Sequence, residues 1–408
     1  KNFEKGKTMP KLWKILGLLL AVTLLAGCGS LSPLPTAIPT STLPATATPF
    51  QPAPPTATAA VPTTVPTPTL APTPVYPGYG PNSFPAEINP LTGLAPQDPN
   101  LLNRRPIIIK VQNLPRYDRP QYGLSLADLV FEYYTEEGST RFAALYYGQD
   151  ATQVMPIRSA RHHDIHLIRA YKAVFLFGYA DPRVYERLIS AEFYQRLLLE
   201  SDRAYPALTR FGPSNFLMAN TAEVQAVCAR NGIDNSRQNL DGMRFELAAP
   251  GGGTPATQVD VHFSAAIYNR WTYDAASGRY QRASDTQNAA DAASEVYAPL
   301  TDALTGAPIA ADNVVILFVP HEDREPNPEV EMPEAVLLGQ GPAWIARDGQ
   351  IYPVTWTRPS ESSILTLVDA SGQPFPFKPG QTWIEVLTAS SKHEASGSAV
   401  RFTFWREW

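Results

Sequence analysis

Cysteine is nearly absent: Cys28 and Cys228 are the two among 408 residues. One bridge is the most they could form, which excludes the multi-disulfide framework of small secreted scaffolds. Charged side chains are sparse at 17%, and there is no basic excess, the formal net charge being -5. Five lysines and one glutamate precede Cys28, a net +4, so the rest of the chain stands at -9. A body of that sign repels phosphate backbones, and nucleic acid is excluded as an expected partner. Long apolar runs are missing too. The stretch 15–25 is about half of the roughly twenty residues that a membrane-spanning helix needs. Phosphate-binding loops and nucleophile elbows are absent as well, since Gly339-Gln340-Gly341 lacks the loop spacing and no Gly-x-Ser-x-Gly occurs. The Gly339-Gln340-Gly341 triplet predicts a bulge or turn. Nothing in the sequence calls for a cofactor, and none is expected.

Proline is abundant instead, with 41 residues. Before the prolines begin, Lys11 and Lys14 lead into the apolar stretch 15–25, followed by the small residues Ala26 and Gly27. This is the layout of a secretory signal peptide. Leu25-Ala26-Gly27-Cys28 resembles the lipobox of bacterial lipoproteins. The resemblance implies a diacylglyceryl group on Cys28, and two acyl chains suffice to hold a protein on a membrane. The expected partner of residues 1–28 is therefore the membrane, and the expected location is the extracytoplasmic face of a bacterial cell membrane. Residues 29–86, rich in Pro, Thr and Ala, can neither bury a core nor run a hydrogen-bond ladder. Such a tract favours polyproline II at about 3.1 Å per residue, so some fifty residues reach on the order of 150 Å. It predicts a disordered stalk and a candidate for O-glycosylation.

Apolar periodicity begins near Glu87. Residues 87–241 predict a mixed α/β domain, with strands over 106–111, 129–134, 140–147 and 173–178. Helices are expected over 160–169 and from Asp181, an N-cap followed by Pro182 at the first helical position. Cys228 falls on one helical face with Val224 and Val227, as a buried small hydrophobe. Residues 255–388 predict a mostly β domain, with strands over 259–263, 268–273, 314–319, 343–346, 352–356, 364–368 and 383–387. Asp348-Gly349 predicts a hairpin, and Ser277-Gly278 and Ser371-Gly372 predict turns. Residues 389–408 form a tail with one further strand over 400–405, without an evident partner. The fold class expected is α+β, a mixed amino-terminal domain followed by a mostly β one.

Several motifs follow one another in order. They include Asn89-Pro90-Leu91-Thr92-Gly93-Leu94, Arg119-Pro120-Gln121, Glu137-Gly138 with Thr140-Arg141-Phe142, and Pro156-Ile157-Arg158-Ser159-Ala160-Arg161. Further along come Asn313-Val314-Val315, Asp348-Gly349, Thr355-Trp356 and Pro379-Gly380-Gln381-Thr382-Trp383. The chain resembles the YerB-like lipoproteins, catalogued as a domain of unknown function (3048) in an amino-terminal and a carboxy-terminal part. The resemblance spans about 89–387 and implies an exported lipoprotein without an established reaction. Where it implies an arginine followed by Pro-His-Asn, this chain has Arg210-Phe211-Gly212-Pro213-Ser214-Asn215. Ser214 brings no imidazole, so no role rests on a histidine there. Asn215 is kept as a candidate ligand-binding residue.

The richest polar cluster is Arg158-Ser159-Ala160-Arg161-His162-His163-Asp164-Ile165-His166. Arginine forks at a helix amino terminus suit carboxylate or phosphate. Arg141, Arg158 and Arg161 are thus candidates for an anion-binding pocket, with Glu136 and Glu137 beside them. The competing reading is an internal arginine–carboxylate network that locks loop to helix. His162 and His166 are spaced like the first two ligands of a zinc helix, but His163 replaces the glutamate base and no third ligand is evident, so no metal is expected. Adjacent carboxylates on one strand point to opposite faces, which argues against Glu136 and Glu137 as a glycosidase pair. Ser159 beside His162 is a local coincidence rather than an activated nucleophile. Trp344, Trp356 and Trp383 are expected in the core rather than as a sugar platform. The function these residues favour is binding of an anionic ligand or a protein partner in or near the cell wall. A wall-modifying hydrolase and an adaptor with no small-molecule site are the alternatives.

Overall fold

The computed structural model describes residues 76–327 and 329–406. The apolar stretch, Cys28 and the Pro/Thr tract up to residue 75 lie outside the described residues. The first half contributes strands β1 (Ile107–Gln112), β2 (Leu129–Tyr134), β3 (Thr140–Tyr146), β4 (Val174–Leu176) and β5 (Leu197–Leu198). Its helices are α1 (Asp164–Tyr171), α2 (Pro182–Ile189) and α3 (Val224–Arg230). The second half opens with β6 (Gln258–His262), β7 (Tyr268–Asp274), β8 (Arg279–Asp285) and β9 (Tyr297–Pro299). It continues with β10 (Asn313–Val319), β11 (Gly339–Arg347), β12 (Gln350–Arg358), β13 (Thr366–Val368) and β14 (Thr382–Thr388), and closes with β15 (Lys392–Ser396) and β16 (Ala399–Thr403).

Most of the body is therefore β, with three short α-helices among the described residues. All three lie in the amino-terminal half, close to where the sequence places helical segments but with shifted ends. In particular, the helix expected from residue 160 starts at Asp164. Residues 158–160 are drawn out of the helix, because Arg158 and Tyr179 give their carbonyls to the amides of Gly178 and Ala160 at 3.0 and 2.8 Å, and a turn at 162–163 leads into it.

One sheet runs through both halves, in the order β13-β12-β11-β10-β14-β2-β3-β1-β4-β5. At its centre β14 pairs in parallel with β2 on one side and β10 on the other, Thr382 lying opposite both Leu129 and Asn313. The segments 87–241 and 255–388 thus share a backbone hydrogen-bond ladder instead of forming separate sheets. Residues 76–86, at the end of the segment assigned to the stalk, also join the body: Tyr79 and Phe245 exchange amide–carbonyl bonds of 3.0 and 2.8 Å.

The second sheet has the order β9-β8-β7-β6-β16-β15. Its pairing places the carboxy-terminal strand, since β16 runs parallel to β6 with Val400 opposite Val259. This sheet covers one face of the large sheet, where α3 also packs through Val224, Val227 and Cys228, and α1 and α2 cover the other. Ile107, Ile109 and Val111 of β1 pack with Val259, Trp271 and Phe402 in one core, while Ile108 packs with Ile165 and Leu167 of α1 in another. A strand buried on both faces cannot alternate apolar with polar, which is why β1, β2 and β14 read as nearly continuous apolar runs.

Local chemistry explains the turns. Arg347 faces Gln350 across β11 and β12, so Asp348 and Gly349 form a two-residue loop. Both have positive φ, 53° and 72°, as a type I′ hairpin requires. Asp181 accepts from the Arg183 amide at 3.0 Å and opens α2 as an N-cap. Gly339 to Gly341 lie in β11 rather than in a turn. A Cβ on Gly341 would sit 2.7 Å from the Trp356 indole nitrogen, so glycine is required there by close packing. Trp356 and Trp383 are buried core residues, and Trp344 packs against Phe318 and Phe402. Cys228 is fully buried on α3, and burial pushes its thiol up to about 11.

Candidate functional site

The segment around Arg158 is held rigidly by backbone bonds. The Arg158 amide donates to the Lys110 carbonyl of β1 at 3.0 Å, and the Ile157 amide donates to Leu217 at 3.0 Å. Leu217 belongs to a hairpin of Leu208–Phe211 and Phe216–Ala219. Its tip carries Asn215 at φ 51°, a left-handed conformation that asparagine tolerates better than most residues. Between segment and hairpin lies an open cleft of about 320 Å³ whose walls include Arg158, Ser159, Tyr179, Arg210, Ser214 and Asn215. Arg210 is occupied, donating to Glu200 at 2.7 Å and to the Asn215 carbonyl at 3.0 Å. The Arg158 side chain is 41% exposed, and its carboxylate neighbour, Asp118, stands 3.7 Å away. No carboxylate lines this cleft.

Arg141 and Arg161 do not converge with Arg158. Both turn to Glu136: Arg161 Nε donates to it at 2.6 Å and Arg141 at 3.1 Å, while Arg141 also donates to the Ser159 carbonyl at 2.7 Å. Burial alone would raise the Glu136 carboxyl, but the Arg161 hydrogen bond and the two guanidinium charges hold it below the usual range. Burial and the neighbouring Arg161 charge push Arg141 down to about 10. For these two arginines the internal lock describes the geometry, whereas Arg158 is held more loosely, paired with Asp118 at 3.7 Å and 41% exposed. Glu136 and Glu137 are also not on a strand; they sit in the turn after β2, where Glu137 has φ 50°.

A second cleft, of about 470 Å³, opens on the other side of Ser159 and Tyr179. Glu136, Glu137 and Arg161 line it, together with Asp181 and Arg183 at the start of α2 and residues 329–332 from the carboxy-terminal half. Beneath the Glu136 cluster lies Lys110, fully buried in β1, donating to Asp164 at 3.2 Å and to the Tyr133 hydroxyl. Burial pushes its ammonium down to about 7, although the Asp164 charge opposes this.

The histidines are committed elsewhere. His166 Nε2 lies 2.9 Å from Glu334, His163 Nδ1 lies 2.7 Å from the Ala335 carbonyl, and His162 Nδ1 lies 3.4 Å from Arg187. Burial pushes His162 down to about 4 despite the Glu334 charge. Glu334 is itself buried; burial would raise it, but hydrogen bonds from His166 and Arg187 hold it well below the carboxylate range. No group of three His, Cys, Asp or Glu positioned for a metal occurs among the described residues.

Sequence reasoning missed Lys110, Tyr179 and residues 329–332. A lysine inside Ile107-Ile108-Ile109-Lys110-Val111 is a signal in itself, because a charge on a strand buried on both faces needs a partner. Tyr179 and the 329–332 segment reach the site through tertiary packing and carry no local mark.

Comparison with known proteins agrees with this architecture. Residues 91–234 match the family described as "Protein of unknown function (DUF3048) N-terminal domain", and residues 259–384 match its C-terminal domain. A curated protein of Bacillus subtilis (strain 168), "Putative lipoprotein YerB", is 26% identical over 305 residues, covering 73% of this chain and 85% of the relative. The crystal structure of YerB protein from Bacillus subtilis is similar in fold, with a TM-score of 0.62 and 24% identity over 74% of this chain and 96% of that one. The two matched stretches contribute β2 and β10, the neighbours of β14 in one sheet, and follow one another in the family's order, so the chain belongs to the DUF3048 family.

Proposed function

We propose that this protein is a lipid-anchored extracytoplasmic lipoprotein that binds a carboxylate-bearing ligand of the cell envelope at Arg158 and does not turn it over. The relative's name and the lipobox-like Leu25-Ala26-Gly27-Cys28 support the anchor, with Cys28 as the lipidated residue. Among the described residues no helix is long and apolar enough to cross a membrane. The observation that carries the binding reading is Arg158 itself. It is a half-exposed guanidinium on a clamped backbone, in an open cleft without carboxylates in its walls, with Ser159, Ser214 and Asn215 as further polar groups. A planar guanidinium fork suits a carboxylate through two parallel hydrogen bonds.

Calorimetric titration with N-acetyl-tetra-alanine, as the free acid and as the amide, tests this. The acid is expected to bind and the amide not, and Arg158→Ala should weaken the acid by about ten- to a hundredfold, the range for hydrogen bonds to charged groups. The melting temperature should hardly move, because the side chain is 41% exposed. Equal binding of acid and amide, or indifference to Arg158, refutes the reading.

A further inference from the structure

The two clefts share a ridge, since Ser159 and Tyr179 line both. The ridge is fixed by the hydrogen bond from the Ala160 amide to the Tyr179 carbonyl at 2.8 Å, and the Tyr179 ring stands 64% exposed upon it. The clefts differ in sign. Carboxylates are absent from the walls of the Arg158 cleft, whereas the larger one carries five carboxylates and two guanidiniums. Glu136 is taken by Arg141 and Arg161, Asp181 by Arg183, and Glu331 by Arg406. Glu137 and Glu329 make no ion pair among the described residues and are exposed at the rim. The amino end of α2, which would favour an anion, is already capped by Asp181. The apolar part of the wall is Val330, 37% exposed, backed by the buried Val184 and Met332. An apolar wall below an acidic rim suits an aliphatic stem ending in an ammonium, which lays its methylenes on apolar surface and keeps its charge at the edge.

Resting on the Arg158 reading above, we infer that the two clefts form a single site for a short peptide that carries both a carboxylate and an alkylammonium side chain. The carboxylate sits on Arg158, the peptide crosses the Tyr179 ridge, and the ammonium sits between Glu137 and Glu329. The ligand class is therefore a zwitterionic peptide rather than a simple anion.

The test compares three tetrapeptides on the full chain in detergent: N-acetyl-Ala-Lys-Ala-Ala as free acid, the same peptide with norleucine for lysine, and the lysine peptide as carboxy-terminal amide. Norleucine keeps the stem and removes the charge. The lysine acid is expected to bind about three- to tenfold tighter than the norleucine acid, the range for two exposed charge contacts. In the Glu137→Gln/Glu329→Gln double variant that advantage should vanish while the norleucine acid binds as before, and raised salt should erase it in the wild type. Equal affinity of the lysine and norleucine acids, with Arg158 still required, overturns this inference and leaves the carboxylate reading standing. Failure of both acids to bind overturns both. Tight binding of a neutral N-acetylglucosamine tetramer to the same cleft, unaffected by Arg158→Ala, overturns the peptide class in favour of a glycan.

Discussion

Replacing Arg282 by methionine should release the second sheet from the first. Arg282, on β8, reaches across the core to two adjacent strands of the large sheet, donating to Glu132 of β2 at 2.6 Å and to Glu385 of β14 at 3.0 Å. Its guanidinium carbon also stands 4.6 Å from the Trp383 ring centre. None of the three charged side chains is more than 1% exposed. Glu132 is further held by Asn113 and Thr140 at 3.0 and 2.7 Å, and Glu385 by the Trp271 indole at 2.9 Å. Burial, and then the adjacent Glu132 charge, raise the Glu385 carboxyl above its usual range. Methionine keeps much of the volume, so the main loss is the cation that two buried carboxyl groups share. Removing one member of a buried ion pair costs about 3–5 kcal/mol. That is a large share of a typical stability of about 5–15 kcal/mol.

Urea unfolding followed by tryptophan fluorescence measures this loss. In the variant the Glu385 carboxyl, already raised by burial, loses the nearby cation that favours its ionised form and should rise further. A group raised in the folded state gives stability that is fullest below its unfolded value and is lost as pH rises. Because wild-type Glu385 itself ionises at about 8, the variant's deficit should widen above about pH 8. Adding Glu132→Gln and Glu385→Gln should recover much of the loss, because neutral amides need no counter-charge. A single variant within about 1 kcal/mol of wild type at every pH would refute the reasoning, since exposed pairs are worth that little.

Lys110 supplies a second test. Its ammonium is pushed down to about 7 from an ordinary 10.5. The folded protein therefore binds fewer protons there than the unfolded chain, and this group's contribution to stability falls as pH drops across that window. An NMR titration of the Lys110 side chain should show a midpoint near 7, and a midpoint above about 9 would contradict the burial argument. Cys228, buried with its thiol at about 11, should resist a thiol-reactive dye in native buffer and react once urea unfolds the chain. Labelling of the native protein as fast as of a free thiol would show that α3 opens.

Individual strands were legible because they are buried on both faces or bounded by turn residues. Asp348-Gly349 marked its hairpin, and Asp181-Pro182 marked the start of α2, through backbone conformations that few other residues favour. What joins the halves was not legible. The parallel pairing of Leu129 with Thr382 is set by tertiary packing, and neither strand carries a local mark of its partner. The same holds for charge: Lys110, Glu132 and Glu385 each stand out inside apolar runs as groups needing a partner, yet the sequence does not say which, and Arg282 sits in a polar strand that gives no sign of its burial. At the site, the helix expected from residue 160 begins only at Asp164, and residues 158–161 follow an irregular path tied to β1 and to Tyr179. Arg158 and Arg161 therefore point to different clefts, and only the fold brings Tyr179 and Glu329 between and beside them.

A structure of the protein with N-acetyl-tetra-alanine free acid bound would test the central claim most directly. The claim predicts the peptide carboxylate within hydrogen-bond distance of the Arg158 guanidinium, with Asn215 and Tyr179 along its path and the Glu136 pairs with Arg141 and Arg161 intact. A carboxylate seated on Arg141 or Arg161 with Glu136 displaced, or bound away from this cleft, would contradict it.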